Sequence, residues 1–125
     1  MKIYEILNEG DLKIKNSVFK MIEKKTATYI DSYLTRWEEM PLSEWGDLSS
    51  VPELKKLSPD TPTLWWEDGE GGFEFALFIV AGPDKYYIGD DDVGKRREQV
   101  NKIFDKKDEF NMIQYVVKCL EAQYG

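Results

Sequence analysis

The chain has 125 residues and a net charge of −7, with 42% apolar, 14% aromatic and 33% charged residues. This length and aromatic content predict one folded domain over residues 1–125 and argue against an intrinsically disordered chain. Cys119 is the single cysteine and histidine is absent, which excludes an intrachain disulfide, a cysteine-based zinc site and the commonest general base near neutral pH.

The first predicted element with a clear pattern is a helix over residues 17–39. Apolar residues recur there at separations of three and four, the period of a helix with one buried stripe. Asn16 or Ser17 can cap its start by accepting hydrogen bonds from the first turn. Residues 40–63 hold four of the five prolines, which predicts an irregular segment held to the domain by leucine and tryptophan anchors.

An antiparallel meander is predicted next, with strands at 63–67, 73–80 and 85–88. The turn-prone DGEGG separates the first two strands, and AGPD separates the second from the third. The second half of the middle strand is apolar on both faces, so both faces of the sheet are expected to be covered there.

Two helices, or one helix broken near DKKD, are predicted from KRREQVNKIF and EFNMIQYVVKCLEAQYG. In the second stretch, apolar residues follow the spacing i, i+3, i+4 and i+7. Cys119 lies in that apolar stripe, where a thiol is expected to be inert packing. Strands grouped between helices predict an α+β fold, in which an antiparallel meander of three to four strands packs with an N-terminal helix and one or two C-terminal helices.

The negative charge is concentrated in the middle of the chain. Residues 1–37 and 93–125 each carry a net charge of +2, whereas residues 38–92 carry −11. Such a field repels nucleic acid and anionic membranes and attracts cationic surfaces. The longest apolar run, at 75–81, is far shorter than a spanning helix, and the first residues are unlike a signal peptide. A cytoplasmic protein with no membrane or direct nucleic-acid partner is therefore expected.

Acidic and aromatic residues occur together at three places in this middle region. Asp90, Asp91 and Asp92 follow a predicted strand, where they can cap a following helix, contact a partner or hold Mg²⁺. Glu67, Asp68 and Glu70 follow Trp65 and Trp66, which face opposite sides of a strand. Either one tryptophan is exposed beside these acids, or both are buried because helices cover both faces. Glu38, Glu39, Glu44 and Asp47 surround Trp37 and Trp45. Their concentration favours one shared acidic surface.

The strand, acidic glycine turn, apolar strand and tyrosine strand of TLWWEDGEGGFEFALFIVAGPDKYYIG resemble the immunity proteins of bacterial contact-dependent growth inhibition and other polymorphic toxin systems. The resemblance implies a cytoplasmic inhibitor, without catalytic activity or a cofactor, that binds a basic toxin domain, often a nuclease. The expected partner contacts are carboxylates with aromatic anchors, namely Trp66, Glu67, Asp68, Glu70, Tyr87, Asp90, Asp91 and Asp92.

Two other functions fit the same residues. One is a Mg²⁺-dependent enzyme acting on a phosphoryl or nucleotide substrate, with Asp90 and Asp92 as ligands and Lys95 or Arg96 receiving phosphate. The other is an acidic mimic of nucleic acid that occupies a DNA-binding protein. The sequence alone does not separate the mimic from the immunity protein.

Overall fold

The computed structural model describes residues 16–30, 35–45, 48, 50–68, 76–92 and 97–124. It confirms an α+β fold built on an antiparallel meander. Five strands form one sheet in chain order, and each pairs antiparallel with the next. The strands are β1 (Thr35–Pro41), β2 (Pro62–Asp68), β3 (Leu77–Ala81), β4 (Lys85–Asp92) and β5 (Arg97–Asp105), and the helices are α1 (Ser17–Lys25) and α2 (Glu109–Tyr124).

The prediction of one helix over 17–39 is wrong in its second half. Helix α1 begins where expected, because Asn16 Oδ1 accepts a hydrogen bond from the backbone N–H of Val18 at 2.9 Å. It ends at Lys25, and β1 begins at Thr35. Residues 26–37 are rich in threonine and aromatic residues, which favour strands. The spacing of the apolar residues in this stretch fits a strand as well as a helix.

A buried hydrogen-bond chain fixes the end of α1 against β1. The hydroxyl of Thr26 donates to the carbonyl of Ile22 at 2.7 Å and accepts from Trp37 Nε1 at 2.8 Å. Because all three residues are buried, each polar group has a partner that replaces water. Trp37 therefore belongs to β1 and not to a helical stripe.

The predicted helix KRREQVNKIF is also wrong, since residues 97–105 form β5 and pair with β4 along its length. Val100 packs on one face of the sheet and Phe104 on the other. Pairing with a preceding strand outweighs a weak local helix preference. The aspartate triplet consequently precedes a strand, so its interpretation as a helix cap is wrong as well.

Both faces of the sheet are covered, as the apolar middle strand predicted. The two helices pack on one face, where Phe19, Ile22, Met112, Val116 and Leu120 are fully buried. The opposite face is covered by the irregular segment between β1 and β2, whose anchors pack on Phe78 and Val80; these anchors are Leu42, Leu48, Val51 and Leu54. All five residues of β3 are buried as a result.

Tyr86 joins β4 to the start of α2 and gives the fold a dependence on alkaline pH. Its hydroxyl donates to Glu109 Oε1 at 3.2 Å, and burial together with the charge of Glu109 raises the pKa of Tyr86 to about 12. An unfolded tyrosine titrates near pH 10, so the unfolded chain loses this proton first. The contribution of Tyr86 to stability is therefore complete below about pH 10 and is lost as the pH rises through about 12.

We expect the urea midpoint of the wild type to fall as the pH rises from about 9 to about 11.5, and to fall less in the Tyr86→Phe variant. The phenyl ring of the variant keeps the packing and removes the titrating hydroxyl. Equal losses in the two proteins would show that Tyr86 does not couple folding to pH in this range.

Candidate functional site

The strand register brings two of the three acidic clusters to the same end of the sheet. Leu77, the first residue of β3, pairs with Trp66 on one side and with Asp90 on the other. Strands β2 and β4 both run toward this end, because β3 runs in the opposite direction between them. Glu67 and Asp68 at the end of β2 and Asp91 and Asp92 at the end of β4 thus lie two strand spacings apart, about 10 Å.

The acidic end of the sheet is defined here as Glu67, Asp68, Asp90, Asp91, Asp92 and Glu98. Glu98, which the sequence assignment placed in a helix, lies opposite Asp91 in the β4–β5 ladder. Two arginines share these rows, since Arg36 pairs with Glu67 and Arg97 pairs with Asp92. Six acidic positions and two basic ones leave a net negative charge. The strand register therefore concentrates acidic residues at this end of the sheet.

Asp90 lies on the helix-covered face, because it pairs with Leu77 of the core beneath the helices. It is half-buried. Burial raises the pKa of Tyr115 and of Cys119 on α2, and the charge of Asp90 raises each of them further. A raised pKa keeps the Cys119 thiol protonated at neutral pH, which agrees with its predicted packing role. Asp90 therefore interacts electrostatically with α2 on the helix-covered face of the sheet.

The prediction that Trp66 anchors a partner is wrong, because its side chain is 0% exposed. Its ring packs edge-on against Trp37, with centroids 4.9 Å apart and an interplanar angle of 66°. Its indole Nε1 donates to the hydroxyl of Tyr124 at 2.9 Å. Trp65 takes the opposite face, as strand geometry requires, where it is half-buried and stacks on Trp45 at 4.7 Å.

The remaining predicted contacts are not gathered at the acidic end. Tyr87 is half-buried against the core between the sheet and the irregular segment. It precedes Asp90 by three residues, about 10 Å along the strand. In β1, Glu38 pairs with Trp65 at the middle of both strands, two residues from Glu67 in β2, and its carboxylate accepts from Arg36 Nε at 2.9 Å. Glu70, Asp47, Lys95 and Arg96 lie outside the described residues. Among the described residues, the predicted contacts and the acids around Trp37 are therefore spread along the strands and are not all at the acidic end.

Comparison with protein families, with characterised proteins and with solved structures found no match for this chain. The resemblance to immunity proteins consequently rests on the sequence features given above. Within the described ranges, no group of three or more acidic or cysteine side chains is placed to hold a metal ion. No helix in the same ranges is long and apolar enough to cross a bilayer.

Sequence reasoning missed a second feature, a groove between β5 and α2. It is lined by Phe104, Phe110, Asn111, Gln114, Tyr115 and Lys118. Assigning 95–104 to a helix hid it, because a groove between a strand and a helix cannot be seen when both are taken as helices. Gly94, a turn signal two residues after Asp92, was the available hint that a second strand follows.

Proposed function

We propose that the chain is an immunity-type inhibitor, which binds a basic toxin domain through the acidic end of the sheet and blocks it. The observation that carries the proposal is the register. Acidic residues more than twenty positions apart in the sequence are brought to the same end of the sheet by its register. A local excess of negative charge attracts a cationic partner.

The chemistry of a toxin nuclease explains why an acidic surface would inhibit it. Nuclease clefts are electropositive because they hold phosphates, so a set of carboxylates can occupy the same groove. Complementary charge also accelerates the encounter between the two proteins. Rapid capture matters to a cell that must neutralise an incoming enzyme before it acts.

The proposed function is tested by reading the gene immediately upstream. Where it encodes a large secreted protein, the C-terminal domain of that protein is co-expressed with this chain. We expect the wild type to restore growth of cells that produce this domain, and the Asp68→Asn/Asp91→Asn/Asp92→Asn variant to restore it poorly. The matched control is Glu44→Gln/Glu53→Gln/Asp60→Asn. It removes three exposed carboxylates from the irregular segment between β1 and β2.

The two variants carry the same net charge, so a difference between them reports position and not total charge. Equal protection by the two variants would remove the acidic end from the interface. An upstream gene that encodes a metabolic enzyme and no toxin domain would contradict the immunity function itself.

A further inference from the structure

The groove between β5 and α2 has the size of a side-chain binding site, with a volume of about 400 Å³. The rings of Phe104 and Tyr115, which both line it, pack against each other with their centroids 5.7 Å apart. Phe110 stands at its edge with 63% of its surface exposed, more than any other large apolar residue among those described. An exposed phenylalanine beside an open apolar groove is typical of a surface that receives another apolar side chain.

Strand β5 adds an open sheet edge to this groove. It is the last strand of the sheet, and its outer side pairs with no other strand in the part of the chain that the structure describes. Asn101, Lys102 and Ile103 are all exposed in succession, with Ile103 at 43%. Three consecutive exposed residues in a strand leave its main-chain groups accessible to an added strand.

The charge of the groove is opposite to that of the whole chain. Lys118 lines it, and Lys102 Nζ lies 5.6 Å from the centre of the Phe104 ring. None of the six lining residues is acidic. Glu109, next to Phe110 on α2, accepts a hydrogen bond from the hydroxyl of Tyr86 and keeps its negative charge. In a protein with a net charge of −7, the groove itself is thus lined by aromatic, amide and lysine side chains beside an open edge.

We propose that this surface binds an extended acidic peptide segment of a partner protein. The main chain of the segment adds to β5, one large apolar side chain lies between Phe104 and Phe110, and carboxylates meet Lys102 and Lys118. Acidic residues are specified by charge complementarity, and an extended backbone is specified by the open edge. This site is separate from the acidic end and does not depend on the proposed inhibitor function.

The test uses a short fluorescein-labelled peptide of alternating glutamate and valine with a central phenylalanine, and a matched peptide with lysine in place of glutamate. Fluorescence anisotropy should show saturable binding of the acidic peptide to the full chain and weaker binding of the basic one. Phe110→Ala and Lys118→Glu should each lower the affinity for the acidic peptide at least about ten-fold. Methylation of alternate backbone nitrogens of the peptide should lower its affinity for the wild type as well.

The control variants are Met21→Ala, which removes another exposed apolar side chain, and Lys56→Glu, which reverses an exposed lysine on the irregular segment. Both should bind as the wild type does, and thermal unfolding confirms that each variant is folded. Failure of the acidic peptide to saturate at millimolar protein, equal binding of the basic peptide, or unchanged binding by Phe110→Ala overturns the proposal. A dimer seen by sedimentation and lost in Phe110→Ala would assign the groove to a second copy instead, and also overturns it.

Discussion

Replacing Trp66 with alanine is expected to lower the free energy of unfolding by about 3–5 kcal/mol, because the change empties a large volume in a closed core. Trp66 is fully buried on the helix-covered face and contacts Trp37 edge-on. Its indole N–H donates a hydrogen bond to the hydroxyl of Tyr124. A domain of this size has a total stability of roughly 5–15 kcal/mol. The variant should therefore unfold at a much lower urea concentration than the wild type.

Trp65→Ala is the matched control, since it removes the same side chain from the next position on the strand. Trp65 is half-buried and keeps part of its surface in water, so we expect a smaller loss of stability. A stable Trp66→Ala protein that binds its partner weakly would contradict the core assignment and would restore Trp66 as a contact residue.

Replacing Gly89 with alanine is expected to cost at least about 3 kcal/mol of folding free energy, beyond the usual range for one added methyl group. A Cβ at Gly89 would overlap the backbone carbonyl oxygen of Gln99 and would lie 2.7 Å from Phe78 Cζ. The backbone of β5 approaches closely here because the ladder is irregular. Ile88 pairs with Lys102 and Gly89 with Val100, so Asn101 has no opposite residue in β4.

Gly82→Ala provides the comparison for this substitution, measured by urea unfolding of both variants. A Cβ at Gly82 would meet Tyr87 Cε1 at 3.1 Å and the carbonyl oxygen of Lys85 at 3.2 Å, contacts that shifts of a few tenths of an ångström relieve. We expect Gly82→Ala to be clearly the more stable of the two. Similar stability of the two variants would mean that β5 can move away from Gly89 at little cost. Gly89 directly precedes the aspartates, so such a movement would also displace the acidic end.

The elements that the sequence predicts correctly are those in which local pattern and tertiary environment agree. The spacing in EFNMIQYVVKCLEAQY predicts α2, and alternation with turn residues predicts β2 and β4. Residues 35–39 and 97–104 are misassigned because their apolar residues fit a helical period as well as a strand. Only pairing with β2 and β4 decides between the two, and such pairing depends on residues distant in the chain.

The acidic clusters were visible in the sequence, but their arrangement was not. Residues 67–68 and 90–92 lie at the same end of the sheet because β3 runs antiparallel to both β2 and β4 and lies between them. Glu38 and Glu39 lie in the middle of β1, two and three residues from the row of Glu67. Trp66 was misjudged as a contact because strand geometry says that Trp65 and Trp66 face opposite sides, without saying which of the two keeps part of its surface exposed.

The two surfaces differ in sign and in what they would recognise. The acidic end lies mostly in the chain's negative middle region, and we propose that it binds a basic surface. The groove along β5 combines lysines with aromatic rings, and we propose that it binds an acidic segment. The Asp68→Asn/Asp91→Asn/Asp92→Asn variant and the Phe110→Ala and Lys118→Glu variants change different residues, so the two proposals can fail separately.

We propose that the acidic end captures a positively charged protein by electrostatic attraction. The decisive experiment is a stopped-flow measurement of the association rate with the toxin domain over a range of salt concentrations, in the wild type and in the variant with Asp90, Asp91 and Asp92 changed to asparagine. We expect the wild-type rate to fall steeply with salt, and the variant to associate more slowly with a weaker dependence. The same rate and the same salt dependence in both proteins would contradict it.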